Sequence, residues 1–229
     1  YCELIELQVA AVDGFIAETI PSIAEAKGVL TAAAQANTRI VLGLTVSDDN
    51  GLLLRSGESL SDTLEAIAPW DPLAVVINCS KPEAVSQALP VLAESGWPFG
   101  AYANGFTDID ALKPGGVVDV LEARNDLNPD QYALFATQWL DMGATIIGGC
   151  CEVGPAHISA LHRLINDRGL TTAGWPASAA AIAAVPYLAI LLPFLSITDE
   201  TCETANHGWR RFIWLNFFAG AIVTQLLIS

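Results

Sequence analysis

The stretch Ala144-Thr145-Ile146-Ile147-Gly148-Gly149-Cys150-Cys151 decides the fold. Its first six residues form an apolar run that ends in two glycines, which predicts a buried β-strand followed by a tight turn. A similar apolar run at 73–78 is followed by Cys79. Strands without a polar face are typical of a parallel sheet that is covered by helices. We therefore expect three cysteines at the carboxyl ends of two parallel strands.

The same alternation of apolar runs and helical stretches continues along residues 1–169. Strands are predicted at 12–17, 39–45, 73–79, 99–104 and 144–149. Helices are predicted at 21–35, 59–67, 80–96, 128–143 and 154–168, the third with a Ser80–Glu83 capping-box pattern. Two α/β folds have this order, a doubly wound sheet and a (β/α)8 TIM barrel. The chain contains neither the glycine-rich dinucleotide fingerprint nor a P-loop, so sequence support for a nucleotide-binding sheet is lacking.

Polar and reactive residues at the strand ends favour the barrel. They are Glu18, Thr19, Thr45, Asn78, Cys79, Asn104, Cys150 and Cys151. In a barrel these ends form one rim, and active sites are built there. Five βα units do not close a barrel. We therefore expect a partial (β/α)8 barrel made of strands 4–8, in a domain over 1–169 that is incomplete at its N-terminus.

Cys79, Cys150 and Cys151 could be three ligands of one zinc ion. Zinc binds thiolates well, and a site with three protein ligands keeps a fourth position open for chemistry. The alternative is three inert buried thiols, because free cysteine is among the most buried residue types. Two vicinal cysteines and a third at a matching strand end favour the metal. Cys2 and Cys202 fit no site.

Charge and cysteine content exclude several classes of protein. The net charge is −15 and only ten residues are basic, which argues against nucleic-acid binding. Five cysteines in a chain of 229 residues do not suggest a secreted disulfide framework. We therefore expect reduced thiols and a cytoplasmic domain.

Residues 170–229 differ from the rest, since their apolar runs carry almost no charge. The spans 177–197 and 212–229 approach the ~20 residues that a transmembrane helix needs. They predict a hydrophobic α-helical extension that forms a membrane hairpin and associates the chain with a bilayer. The alternative is a pair of buried core helices.

The residues around the opening stretch also resemble a known family. Residues 146–158 closely resemble the last strand and loop of the homocysteine S-methyltransferase family, whose signature is a Gly-Gly-Cys-Cys run followed by a proline and a helix. Three further matches follow the family's order: Glu-Thr-x-Pro at 18–21, Asn-Cys at 78–79 and Tyr-x-Asn at 102–104. Ala103 stands where proline is usual, and Glu152 stands where many members have a small or basic residue.

The resemblance implies zinc-dependent transfer of a methyl group to homocysteine, giving methionine. Cys79, Cys150 and Cys151 would bind Zn²⁺, and Glu18 would hold the amino group of homocysteine, with Thr19 and Asn104 as further substrate contacts. The donor would be activated, such as S-methylmethionine or betaine. Two alternatives stay open: a non-catalytic, membrane-associated zinc-binding remnant, and a methyltransferase for another thiol or selenol acceptor.

Overall fold

A computed structural model describes residues 1–12, 14–109, 121–172, 188–192, 212–218 and 221–222. The strands are β1 (Gly14–Ile20), β2 (Ile40–Leu44), β3 (Ala74–Asn78), β4 (Phe99–Tyr102), β5 (Ile146–Gly148), β6 (Thr171–Thr172), β7 (Leu188–Leu192), β8 (Phe212–Phe218) and β9 (Ala221–Ile222). The helices are α1 (Cys2–Gln8), α2 (Ile23–Gln35), α3 (Leu60–Ile67), α4 (Pro82–Ala93), α5 (Pro129–Asp141) and α6 (Pro155–Asp167), with one 3₁₀ turn at Ala68–Trp70.

The five predicted strands form a parallel sheet in sequence order. Strands β1 to β5 are neighbours in turn, and each pair is parallel. The prediction of an α/β fold with five parallel strands is therefore confirmed. Because the strands are parallel, all their carboxyl ends lie at one edge of the sheet.

The helices begin where small polar side chains cap them. Ser22, Ser59 and Asn128 accept backbone N–H groups in the first turns of α2, α3 and α5. The expected capping box at Ser80 is wrong, because α4 begins at Pro82 with Lys81 as its cap residue. The Ser80 hydroxyl instead accepts the N–H of Val46, at 3.0 Å. It thus ties the end of β3 to the loop after β2.

The two faces of the sheet have different surroundings. One face packs against the helices and builds the main apolar core with residues such as Leu42, Val75 and Ile147. On the other face, which we call the site face, strand residues pack on one another and on two of the cysteines. Its cluster consists of Ile16, Val41, Ala74, Val76, Cys79, Tyr102, Ile146 and Cys150. Alternation along each strand therefore directs every second side chain towards the cysteines.

The predicted helical hairpin is wrong where the structure describes it. Residues 188–192 form β7, which pairs in parallel with β5, and residues 212–218 form β8, which pairs in parallel with β1. An uncharged run fits a buried strand as well as a helix, and both edges of the five-stranded sheet carry unpaired backbone groups that a strand can satisfy. Apart from 221–222, the rest of the two predicted spans lies outside the described residues.

Membrane insertion receives no support from the helices. Among the helices of the described ranges, none is long and apolar enough to cross a bilayer. The boundary after residue 169 stays a prediction, and the strands beyond it belong to the same sheet as those before it.

Candidate metal centre

The three predicted cysteines meet at one point above the carboxyl edge of the sheet. Cys79 follows β3, and Cys150 and Cys151 follow β5. Their Sγ atoms all lie within 4.8 Å of one another, and those of Cys150 and Cys151 are 3.8 Å apart. Cys79 and Cys150 are buried, and Cys151 is partly exposed. Three thiols at this spacing form a set of sulfur donors that could converge on one metal ion.

Backbone hydrogen bonds from the end of β4 hold the two cysteine loops together. The N–H of Cys79 donates to the carbonyl of Tyr102 at 3.3 Å, and the N–H of Cys150 donates to that of Ala103 at 3.0 Å. The N–H of Gly105 donates to the carbonyl of Cys151 at 2.8 Å. Strand β4 thus lies between the two loops and sets their relative height.

The pKa values of the thiols differ strongly because they share hydrogen bonds. Hydrogen bonds from Cys150 and Cys79 lower the pKa of Cys151. The same contacts raise the pKa of Cys150, through Cys151 first and then Cys79. The hydrogen bond with Cys150 lowers the pKa of Cys79. The hydrogen bond with Cys151 and burial together outweigh this effect, so the net result is a raised pKa. Cys151 is therefore the cysteine of the cluster whose thiol ionises most readily.

Gly149 is required by the packing of the loop after β5 that carries Cys150 and Cys151, which we call the metal loop. A Cβ atom at this position would lie 2.1 Å from Cγ1 of Val153, well inside van der Waals contact. Val153 is buried and its N–H donates to the carbonyl of Cys150 at 3.0 Å. The glycine lets the loop fold back over its own valine, as the sequence predicted for a close turn.

Tyr132 on α5 is a site residue that the sequence did not reveal. Its buried hydroxyl donates to the carbonyl of Gly148 at 2.7 Å and accepts the N–H of Ala103 at 3.0 Å. It therefore joins the ends of β4 and β5 directly beneath the cysteines. His157 lies edge-on to this ring, and its Nε2 is 3.0 Å from the carbonyl oxygen of Leu127.

Glu18 lies two residues after Ile16 on β1 and is 4% exposed. The pKa of Glu18 is raised to about 8. Burial is the main cause and the charge of Cys151 adds to it, while the hydrogen bond of the Tyr102 hydroxyl acts in the opposite direction. The Tyr102 hydroxyl faces the Glu18 carboxyl, and burial first and then this carboxyl raise the pKa of the tyrosine well above its usual value. The Nδ2 atom of Asn104 is buried and has no hydrogen-bond partner among the described residues. An unsatisfied buried donor is costly, which suggests a ligand at this rim.

Thr19 has a left-handed backbone, with φ 59°. Its N–H donates to Oδ1 of Asn78 at 2.9 Å, and Nδ2 of Asn78 donates to its hydroxyl at 3.0 Å. Cys79 and Glu152 also have positive φ, at 49° and 63°. Such conformations cost about 1–3 kcal/mol each and cluster at functional sites, where the surroundings enforce them.

Arg55 and Asp48, both in the loop between β2 and α3, form a further pair that the sequence did not reveal. Nη2 of Arg55 lies 3.2 Å from Oδ1 of Asp48, and their side chains are 17% and 1% exposed. The same Nη2 donates to the carbonyl of Cys79 at 3.3 Å. A salt bridge therefore lies against the loop after β3 that carries Cys79.

Comparison with known proteins matches this arrangement to one family. The family described as homocysteine S-methyltransferase matches residues 1–165. Homocysteine S-methyltransferase 2 of Arabidopsis thaliana is 28% identical over 156 residues, which is 67% of this chain and 45% of that protein. The crystal structure of the homocysteine methyltransferase MmuM from Escherichia coli in its apo form is 25% identical, with a TM-score of 0.54 over 70% of this chain and 53% of that chain.

A different kind of relative also appears. The lycopene elongase/hydratase of Corynebacterium glutamicum is 36% identical over 115 residues, which is 50% of this chain and 37% of that protein. The chain thus spans about a third to a half of the length of these two curated relatives. Because the family match covers most of the chain, including all three clustered cysteines, the chain belongs to the homocysteine S-methyltransferase family.

Proposed function

We propose that this chain holds a zinc ion with Cys79, Cys150 and Cys151 and transfers a methyl group from an activated donor to homocysteine, giving methionine. The observation that carries the proposal is the convergence of the three sulfur atoms within 4.8 Å. We further propose that β1 to β5 correspond to strands 4–8 of a (β/α)8 barrel, since active sites of that fold lie at the carboxyl ends of the strands.

The donor set fits zinc. Three thiols converge, and no carboxylate or imidazole belongs to the cluster found among the described residues. Sulfur ligands select zinc over magnesium or calcium, and three of them leave one position for a substrate. When bound there, zinc would supply the acidity that deprotonates a substrate thiol at neutral pH.

Glu18 would bind the ammonium group of homocysteine. Its carboxyl is buried, and an adjacent cation would favour its charged form and form a charge-assisted hydrogen bond. The unpaired Nδ2 of Asn104 is a donor that could reach the substrate carboxylate. Thr19 would contribute less directly, because Asn78 already holds its hydroxyl.

The methyl donor must carry its methyl group on a sulfonium or quaternary ammonium, as in S-methylmethionine or betaine. The homocysteine thiolate attacks the methyl carbon, a sulfur–carbon bond forms, and the electron pair of the broken bond stays on the donor's heteroatom. Glu152 is exposed and follows Cys151 directly, so its carboxylate would favour a cationic donor near the rim.

A zinc and turnover assay tests the proposal. The full chain should bind zinc and form methionine from homocysteine with at least one of these donors. Cys79→Ala should lose the metal and the turnover, whereas Cys2→Ser, which alters an exposed cysteine on α1, should keep both. Retention of zinc in Cys79→Ala would sink the proposed site. Zinc binding without turnover across a panel of donors and thiol or selenol acceptors would instead support a non-catalytic zinc protein.

A second candidate function follows from the match to the lycopene elongase/hydratase, namely action on a long apolar polyene. Action on lycopene would give no role to the cysteine cluster or to Glu18. We therefore consider methyl transfer the better-supported function. Incubation of the chain with lycopene and a prenyl diphosphate in the same assay series separates the two. A lycopene product that persists in Cys79→Ala would favour this candidate.

A further inference from the structure

The salt bridge between Arg55 and Asp48 is built into the wall of the metal site. Nε of Arg55 donates to the hydroxyl of Thr45 at 3.0 Å, and its Nη2 donates to the Cys79 carbonyl at 3.3 Å. The Thr45 hydroxyl also donates to that carbonyl, at 3.3 Å. Arg55 thus fixes the peptide of Cys79 both directly and through Thr45.

Asp48 holds the other side of the same segment. Its Oδ1 accepts the N–H of Lys81 at 2.8 Å, and its Oδ2 accepts the N–H of Ile109 at 3.4 Å. The ion pair therefore holds the segment from Cys79 to Lys81 at both ends, through the Cys79 carbonyl and the Lys81 N–H. We call this pair of contacts the grip. The grip extends to Ile109, in the segment after β4.

This grip matters because Cys79 has an unfavourable backbone conformation. Its φ of 49° lies in the left-handed region, which a residue other than glycine keeps only where its surroundings enforce it. Without the grip, the peptide could relax and carry the Cys79 sulfur away from those of Cys150 and Cys151. A guanidinium suits this task, since its planar fork can donate to several acceptors at once.

We propose that Arg55 and Asp48 are a positioning pair that holds Cys79 in the geometry needed to complete the three-sulfur site. The proposal rests on the proposed zinc site and adds to it two residues that bind neither metal nor substrate. Groups that orient metal ligands in this way affect metal affinity by about 10- to 100-fold.

Zinc affinity, measured by competition with a chromophoric chelator, tests the pair. Arg55→Met should weaken zinc binding by about 10- to 100-fold. Arg55→Lys keeps the charge but cannot reach Thr45, Cys79 and Asp48 together. Its zinc affinity should therefore lie between that of the unaltered chain and that of Arg55→Met. Arg39→Met is the matched control. Arg39 pairs with Asp71 at 2.9 Å, at the opposite edge of the sheet, and its loss should leave zinc affinity unchanged.

A spectroscopic readout separates positioning from a general loss of folding. In the Co²⁺-loaded chain, the thiolate-to-metal absorption per bound ion should weaken in Arg55→Met, because the displaced Cys79 sulfur no longer completes the three-sulfur set. Partial unfolding would reduce the amount of bound ion but not the spectrum of each ion. If Arg55→Met does not fold, Arg55→Lys decides the matter by the same two measurements.

The outcomes separate a failure of the positioning pair from a failure of the zinc site. If the unaltered chain binds neither Zn²⁺ nor Co²⁺, the proposed zinc site itself fails. If it binds both, and the folded Arg55 variants keep its affinity and its spectrum, the positioning role is overturned while the zinc site stands.

Discussion

At the scale of single residues, Glu18 combines its proposed binding role with a cost to stability. Its folded-state pKa is raised from 4.5 to about 8, mainly by burial. Below pH 4.5 the carboxyl is protonated in both the folded and the unfolded chain. As the pH rises from 4.5 to 8, the unfolded state loses the proton first, so the raised pKa makes the folded state less stable over this window.

The variant Glu18→Gln should therefore stabilise the metal-free chain at higher pH. Its melting temperature should equal that of the unaltered chain at pH 4.5 and exceed it increasingly towards pH 8, while homocysteine binding falls. Thermal melts by circular dichroism across this range measure the difference. Glu6→Gln, at an exposed position on α1, is the control for the removal of one carboxylate. A constant offset at all pH values would contradict the assigned cause.

Some residues of the candidate site can be predicted from the sequence, and others are revealed only by the structure. Cys79, Cys150, Cys151, Glu18 and Asn104 follow strands, so the rule that parallel strands end at one edge brings them together from the sequence alone. Tyr132, Arg55 and Asp48 act from a helix and a loop, through contacts with residues distant in the chain. No local pattern marks such residues, because what selects them is the position of a partner's backbone atom.

At the scale of elements, α5 connects the helix layer to the metal loop through one hydroxyl group. The Tyr132 ring packs edge-on against Trp139 of the same helix, and its Oη bridges the ends of β4 and β5. Asn128 fixes the start of the helix by accepting the N–H groups of Asp130 and Gln131. The position of the helix and the height of the loop are therefore linked.

Tyr132→Phe should remove this link and keep the ring packing. Leaving a buried carbonyl and N–H unpaired costs about 1–3 kcal/mol of unfolding free energy, which urea denaturation measures. Zinc affinity should fall as well. Thr137→Val is a control on the same helix, since that hydroxyl donates only to the carbonyl of Ala133 at 2.8 Å. Equal zinc affinity in Tyr132→Phe and in the unaltered chain would disprove the link.

The elements were predictable where a repeating pattern determines them. The apolar runs gave β1 to β5 to within a few residues, and Asn128-Pro129 marked the start of α5. The helices expected within 177–197 and 212–229 were wrong at 188–192 and 212–218, because an apolar run has no period that distinguishes a buried strand from a buried helix. The deciding factor was an unpaired sheet edge, which is a tertiary property.

At the scale of the whole molecule, the site is assembled only in the folded chain. The three sulfur atoms come from loops more than 70 residues apart in sequence, so the unfolded chain does not hold them together. A ligand that binds the folded state alone stabilises it by about 4 kcal/mol at 1,000 times its Kd. The melting temperature should therefore rise with zinc and fall again with a chelator.

The Cys150→Ser variant provides the comparison. It should fold without zinc and show a much smaller rise in melting temperature, since one of the three ligands is gone. The Cys2→Ser variant should respond as the unaltered chain does. If zinc leaves the melting temperature of the unaltered chain unchanged, or shifts all three proteins equally, the assembled site does not hold the metal.

The pairing of β1 with β8 has a consequence for how the chain matures. The strand that carries Glu18 gains one neighbour early, from β2, but its second neighbour is formed by residues 212–218, which follow much later in the chain. Contacts of such long range form slowly, and an apolar edge that waits for its partner invites association with other chains. We therefore expect the Glu18 side of the site to become native only after β8 has been synthesised.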